Sequence, residues 1–331
     1  MMSSVRKVVD RSVFLSSLNY WKGQVMYRVG LAGHLSGATH ARLDLDASVR
    51  YVEDVVADYL QYAEVTPDFL VGKDVLEIGP GDNLGVALGL IARGARSVTC
   101  LDRFDPQLDD RRNAAIYRRQ LERLDADART RAEAAILRVD VVVVEFDPTR
   151  IRCQYGIPIE AASAHFGASS FDLILSRAVL EHVRDVDLAW TSMVHLLVPG
   201  GQMWHKVDFR NHGKFGQFHP LHFLTVSDRI WDMITAPDPT LNRERTPTYL
   251  RLARGSFDSV RCYQTHVLEN VEMRPHPDAL EFGRDYGHAE RELVAAIRPR
   301  LIDRFRDLSD EDLLSSGIFL ICRGQLGGRV T

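Results

Sequence analysis

The chain has 331 residues, enough to bury a large core in one domain or in a domain with a sizeable accessory part. Its 41 basic and 45 acidic side chains give a formal net charge of -4, so no global positive charge is available to hold a phosphate backbone and a nucleic-acid substrate is disfavoured. The four cysteines form no CxxC pair and no zinc-binding spacing, which predicts reduced cysteines in a cytoplasmic protein.

The N-terminal part carries an apolar stripe over residues 12–31. Its apolar side chains recur at helical spacing, while Lys22 and Arg28 interrupt the run. A bilayer-spanning helix needs about 20 consecutive apolar residues, so we predict no transmembrane segment. The stripe instead predicts a helix that packs on its own domain or covers the active site.

Short apolar runs alternate with helical patterns through the centre of the chain, which predicts a mainly parallel sheet with helices on both faces. A helix over residues 84–93 follows the first run and ends at Gly94. The predicted strands cover residues 74–78, 97–101, 171–175, 202–207 and 318–322.

The segment between the second and fourth strands contains a long helical pattern and two candidate strands. Residues 109–135 have a helical pattern in which arginines and acids interleave, and this predicts a solvated, salt-bridged helix rather than a basic binding surface. Residues 139–146 and 150–157 both have strand composition. Periodicity leaves open which of them is the third strand of the sheet.

A glycine-rich turn follows the first predicted strand, at Glu77-Ile78-Gly79-Pro80-Gly81. Glycines allow tight turning and close approach of the backbone to a ligand. Taken alone, such a turn also fits dinucleotide binding or an ordinary strand-to-helix connection. Asp102 ends the second strand, where a carboxylate can accept both hydroxyls of a ribose.

Three further segments complete a more specific pattern: Glu160, residues 170–183 and residues 196–201. Over about residues 74–207 the chain resembles the class I S-adenosylmethionine-dependent methyltransferases. The resemblance implies a doubly wound α/β fold with a mainly parallel seven-stranded sheet, N-terminal helices and a lid-like insertion, and S-adenosylmethionine as the cofactor. The cofactor-binding residues that it implies are Glu77, Gly79, Pro80, Gly81, Asp102, Arg103, Glu160, Ala161, Ser176 and Arg177.

In this resemblance Glu77 and the glycines line the methionine part of the cofactor, Asp102 holds the ribose, and Glu160 reads the adenine amino group. Pro80 and the long segment before Glu160 depart from the family pattern. Two alternatives stay open: an NAD(P)-dependent oxidoreductase and a non-catalytic methyltransferase-like binding protein. The oxidoreductase fingerprint is GxGxxG, and here the third glycine, Gly85, comes one position late.

The chemical site is expected beyond the carboxyl end of the fifth strand. Transfer to a hydroxyl needs a base, and histidine titrates near neutrality. We therefore predict His205, Asp208 and His212 as catalytic residues, with Asp208 orienting a histidine. A divalent metal, held with His219 and His222, is a less favoured alternative.

The predicted acceptor is a small molecule or a glycan hydroxyl. No Asn/Asp-Pro-Pro-aromatic motif follows the fourth strand, and the resemblance therefore argues against amino-methylation of nucleic-acid bases. Residues 211–256 lack the sheet pattern and carry aromatics and arginines, as lids and substrate pockets do. The predicted division is an N-terminal helical segment (1–65), a cofactor-binding core (66–210), a lid insertion (211–256) and a C-terminal completion of the sheet (257–331).

Overall fold

The computed structural model describes residues 21–22, 25–26, 39–106, 109–140, 142–211, 219–235, 241–268, 280–281 and 286–325. Short apolar runs form the strands of this region. The strands are β1 (Asp74–Ile78), β2 (Ser97–Asp102), β3 (Ile136–Val139), β4 (Val144–Phe146), β5 (Ile151–Tyr155), β6 (Phe171–Arg177), β7 (Leu197–Asp208), β8 (Phe257–Val267), β9 (Leu280–Glu281) and β10 (Ser315–Gln325).

Eight of these strands form one sheet in the order β5-β2-β1-β6-β7-β10-β8-β9. The first five strands in this order pair in parallel, whereas β10 is antiparallel to both β7 and β8. This arrangement confirms the predicted doubly wound fold with a mainly parallel seven-stranded sheet. The two-residue β9 adds a short eighth strand at the edge.

Helices cover both faces of the sheet, and several begin at an aspartate whose side chain accepts a backbone N–H. Asp44, Asp125 and Asp185 are such N-caps. The helices are α1 (Leu45–Tyr62), α2 (Gly85–Ala92), α3 (Asp110–Arg123), α4 (Ala126–Glu133), α5 (Val186–Leu196), α6 (Asp228–Thr235), α7 (Thr246–Ser256), α8 (His288–Ile297), α9 (Asp303–Arg306) and α10 (Asp310–Leu314).

The core is divided between the two faces because successive strand residues point to opposite sides. α1 to α4 pack on one face, where Val75 and Trp204 are buried. α5 and α7 pack on the other face, against Leu76 and Met203. All eight residues of α2 are buried, as expected for a helix that is apolar on every side.

The structure corrects one predicted element and decides another. Residues 109–135 form two helices rather than one, because the chain is extended at Leu124 and Asp125 caps a new helix at Ala128 N. β5 pairs with β2 and is the third core strand. β3 and β4, which contain residues 139–146 in part, form a separate antiparallel hairpin.

Two predicted features lie largely or partly outside the described residues. Of the apolar stripe at residues 12–31, only residues 21–22 and 25–26 are described, and they are helical. In the predicted lid insertion, residues 212–218 and 236–240 are outside the description. The end of that segment forms α7, whose Tyr249 and Ala253 are buried against the sheet.

Candidate active site

The turn after β1 is built on two glycines with left-handed backbone conformation. Gly79 has φ 70° and Gly81 has φ 74°, values that other residues adopt only at a cost. A Cβ atom on Gly79 would lie 2.4 Å from Cγ2 of Val179. The Gly79 amide donates to the Leu101 carbonyl oxygen at 2.8 Å. Residues 79–81, the glycine turn, including Pro80, are therefore held against β2 at the carboxyl end of β1.

Glu77 lies on β1, two residues before the glycine turn, and its side chain is buried. Burial raises the pKa of its carboxyl group to about 8, because an ionised carboxylate is poorly solvated there. The Cys100 thiol donates a hydrogen bond to Glu77 Oε2 at 3.7 Å. A carboxyl group in this environment becomes ionised more readily when a cationic group is brought next to it.

Asp102 is the last residue of β2, and Glu160 follows β5; these are the two strands beyond β1 in the sheet. Asp102 Oδ1 accepts the Phe104 amide at 2.9 Å, and the Ile157 amide donates to the Asp102 carbonyl oxygen at 3.2 Å. This second bond ties the loop after β5 to the end of β2. Glu160 lies in the first turn of the short helix Ile159–Ala164, and its Oε1 accepts the Arg184 amide at 3.1 Å.

Arg103 and Ala161 directly follow these two acids. The Arg103 guanidinium lies over the Phe104 ring, 5.5 Å from its centroid. Ala161 N donates to the Pro158 carbonyl oxygen at 2.9 Å. The fold therefore brings the predicted cofactor residues of three strands to one edge of the sheet, which we call the cofactor edge: residues 77–81, 102–103 and 160–161.

Ser176 and His205 pair side by side on β6 and β7. The Ser176 hydroxyl and His205 Nδ1 are hydrogen-bonded at 2.7 Å, and both side chains are fully buried. The His205 ring lies 6.1 Å from the Trp190 ring of α5. Burial lowers the pKa of His205 to about 3. His205 therefore faces the core, in an environment that keeps its ring neutral.

Arg177 and Lys206, the next pair along these strands, point to the opposite face because strand side chains alternate. Arg177 Nη1 forms an ion pair with Asp58 Oδ2 of α1 at 2.7 Å. Lys206 is only 6% exposed, and burial, followed by the nearby charge of Arg177, lowers the pKa of Lys206 to about 7.

Further charged groups surround Lys206 on the same edge. Asp208 accepts from Arg210 Nε at 2.8 Å rather than orienting His205, and His212 lies outside the described residues. Electrostatic interactions link His266 of β8 to Lys206, and burial lowers the pKa of His266 to about 4. Asp58, Arg177, Lys206, Asp208 and Arg210 form what we call the charged cluster.

A sequence-family comparison decides the class of this protein. A family model described as a methyltransferase domain matches residues 48–240, more than half of the 331 residues. The chain belongs to this methyltransferase family. The match confirms the predicted S-adenosylmethionine-dependent class and its cofactor. No curated protein matches the methyltransferase in sequence.

Solved structures similar to the methyltransferase come from several organisms. A phosphoethanolamine N-methyltransferase 2 of Haemonchus contortus, in complex with S-adenosyl-L-methionine, is 14% identical, with 84% of this chain and 56% of that chain covered and a TM-score of 0.41. An S-adenosylmethionine-dependent methyltransferase of Mesorhizobium loti is 17% identical, with 84% and 99% covered and a TM-score of 0.38.

A contact between the glycine-turn region and the N-terminal segment of the methyltransferase could not be foreseen from the sequence. Asp82 follows the turn, and its carboxylate accepts the amides of His40 at 3.2 Å and Ala41 at 3.0 Å. Arg112 of α3 also donates to the Leu43 carbonyl oxygen. The only sequence signal was an acid next to the glycines, and nothing local indicated that its partners lie about forty residues earlier.

Among the described residues, no three His, Cys, Asp or Glu side chains lie close enough together to hold a metal ion. The helices of the described ranges include none that combines the length and apolar character needed to cross a bilayer.

Proposed function

We propose that this methyltransferase transfers a methyl group from S-adenosylmethionine to a hydroxyl of a small molecule or a glycan. The observation that carries the proposal is that the cofactor edge and the charged cluster lie next to each other at one end of the sheet. The cofactor edge lies at the carboxyl ends of β1, β2 and β5, and the charged cluster lies at the ends of β6 and β7, the next strands in the sheet. In open α/β sheets, ligands bind at this edge.

The cofactor edge suits S-adenosylmethionine in the chemistry of its groups. The glycine turn offers backbone close to a ligand without side-chain obstruction, and we assign Glu77 to the methionine ammonium. Asp102 is assigned to the ribose hydroxyls and Glu160 to the adenine amino group. Arg103, Ala161, Ser176 and Arg177 complete the proposed site. When bound, S-adenosylmethionine supplies the methyl group, and the protein's contribution is to position the acceptor in line with it.

For the base, we propose Lys206 among the described residues. A general base works best when its pKa lies near the operating pH. Burial lowers the pKa of Lys206 to about 7. Lys206 also lies on the charged cluster, whereas His205 faces the core with its Nδ1 engaged by Ser176. The catalytic roles predicted for Asp208 and His212 stay predictions.

The acceptor proposal is tested by product formation. The full-length protein would be incubated with S-adenosylmethionine and a panel of hydroxyl, amine and thiol compounds, including glycans. S-adenosylhomocysteine and the methylated products would then be measured by mass spectrometry. We expect methylated hydroxyls. Transfer only to amines or thiols would contradict the acceptor class, and cofactor binding without any turnover would favour a binding protein.

Substitutions at Lys206 test its proposed role as the base. Lys206→Met should lower turnover by roughly a hundredfold to ten-thousandfold while leaving affinity for S-adenosylmethionine intact. Lys206→Arg should lose activity too, because a guanidinium stays protonated. In the wild type, the rate should rise with pH through about 7, as Lys206 becomes neutral. Full activity of both variants would contradict Lys206 as the base and favour His212.

The remaining predictions on organisation belong to the same proposal. We propose that residues 211–256, together with residues 1–65, enclose the acceptor, and that the methyltransferase works in the cytoplasm. Limited proteolysis with and without S-adenosylhomocysteine and an acceptor tests the enclosure. Protection of residues 211–256 by ligands would support it, and equal cleavage rates would contradict it.

A further inference from the structure

Two cysteines lie beside the cofactor edge and are not used in the proposed mechanism. Cys100 on β2 pairs with Glu77 on β1 and with Cys153 on β5. The three residues therefore form one row across neighbouring strands, with Cys100 in the middle. Cys100 is fully buried, whereas Cys153 is half-buried on the edge strand of the sheet.

The register of the two strands suits a bond between the sulfur atoms. Neighbouring strands run about 4.8 Å apart, and the Cα atoms of a disulfide are separated by about 4.4–6.8 Å. The single S–H of Cys100 can donate to Glu77 or to the Cys153 thiolate, and the second hydrogen bond lowers the pKa of Cys153, which favours the thiolate that reacts with oxidants. The position of β5 at the sheet edge places Cys153 on the more accessible side of the pair.

We propose that hydrogen peroxide converts Cys100 and Cys153 into a reversible disulfide, and that this disulfide weakens binding of S-adenosylmethionine through Glu77. The Cys153 thiolate attacks one peroxide oxygen, the O–O bond breaks, and the leaving hydroxide takes a proton to become water. The Cys100 sulfur then attacks the resulting sulfenic acid, its S–O bond breaks, and the oxygen leaves as water with the Cys100 proton. Both thiols are oxidised as the peroxide is reduced to water.

The link to the cofactor is the hydrogen bond from Cys100 to Glu77. Over the described residues, this is the single hydrogen bond that the structure gives to the Glu77 carboxyl group. A disulfide removes the S–H donor, and a buried carboxylate without a donor is less stable in its ionised form. This step rests on the proposed role of Glu77 in holding the cationic ammonium of the cofactor.

The test compares reduced and peroxide-treated full-length protein. Affinity for S-adenosylmethionine would be measured by titration calorimetry, and non-reduced peptides would be mapped by mass spectrometry. We expect peroxide to produce a Cys100–Cys153 link and to weaken binding at least tenfold, with full recovery after a phosphine reductant. In Cys153→Ser, affinity should match the reduced wild type and resist peroxide.

Cys262→Ser is the matched control, since Cys262 is also half-buried but lies on β8, on the other side of the sheet. This variant should respond to peroxide like the wild type. The proposal is overturned if no Cys100–Cys153 link forms, if the linked protein binds with unchanged affinity, or if Cys153→Ser loses affinity in peroxide. Reduced wild type that fails to bind S-adenosylmethionine would instead contradict the proposed function, and the peptide map would still decide whether the disulfide forms.

Discussion

The cofactor edge and the charged cluster lie at the same end of one sheet, yet they are built in different ways. The cofactor edge depends on short local segments, in which a glycine turn or an acid lies at the end of its own strand or within a few residues after it. The charged cluster combines Asp58 of α1 with Arg177 of β6 and Lys206 of β7, which are far apart in the sequence. Local motifs therefore specify the first region, and tertiary packing specifies the second.

This difference predicts how each region responds to substitution. Residues of the cofactor edge should change ligand affinity, because backbone geometry and single carboxylates act there. Residues of the charged cluster should change folding stability as well as turnover, because buried charges destabilise the fold when a partner is removed.

The largest expected effect is the pH dependence of the free energy of unfolding that Glu77 causes. It would show that a residue of the cofactor edge also affects folding stability. The folded-state pKa of Glu77 is raised from 4.5 to about 8. Stability is therefore complete below about pH 4.5 and is lost as pH rises through about 8, by up to about 5 kcal/mol in the absence of ligand. Glu77→Gln removes this dependence.

Urea unfolding of Glu77→Gln and wild type at pH 5 and pH 8.5 measures this response. The difference in unfolding free energy should move in favour of the variant at the higher pH. Glu133→Gln, an exposed residue of α4, is the control and should differ from the wild type by less than about 0.5 kcal/mol at both values. An equal pH response of Glu77→Gln and wild type would refute the burial argument.

The next largest effect concerns the ion pair between Asp58 and Arg177. Its side chains are 10% and 16% exposed, so Asp58→Ala should lower the free energy of unfolding by about 3–5 kcal/mol, because it leaves a buried guanidinium without its partner. Asp46→Ala, on the same helix, removes an exposed pair with Arg119 and should cost less than about 1 kcal/mol. Similar losses in the two variants would contradict the argument that burial makes the Asp58–Arg177 pair important for stability.

A smaller effect is expected at the glycine turn. Gly79→Ala combines a left-handed φ with a Cβ 2.4 Å from Val179, and we expect a loss of about 2–4 kcal/mol shared between stability and cofactor affinity. Gly72 has a similar φ of 73° but open space around its Cβ. Gly72→Ala should therefore cost only about 1–2 kcal/mol in stability and nothing in affinity. Thermal melts and cofactor titration separate the two contributions.

The sequence predicted the sheet and the cofactor edge because their signals are local. The strands ending at Ile78 and Asp102 are apolar runs that stop at glycine or acidic residues. These local segments lie within residues 48–240, which the methyltransferase family model matches. The charged cluster could not be predicted, since its assembly depends on which face of α1 packs on β6. His205 shows the same limit: it lies in β7 near the carboxyl end of the strand, and strand alternation turns its side chain into the core, where it is fully buried.

The most direct test of the central claim is the affinity for S-adenosylmethionine of the wild type and of Asp102→Ala, measured by titration calorimetry with NADH as the comparison ligand. Asp102 ends β2 beside the glycine turn, and removal of a hydrogen-bonding carboxylate typically costs about 1–3 kcal/mol. We predict binding of S-adenosylmethionine and not NADH to the wild type, with about 5- to 150-fold weaker binding to Asp102→Ala. Equal affinity of the two proteins, or preferential binding of NADH, would contradict the placement of the cofactor at this edge.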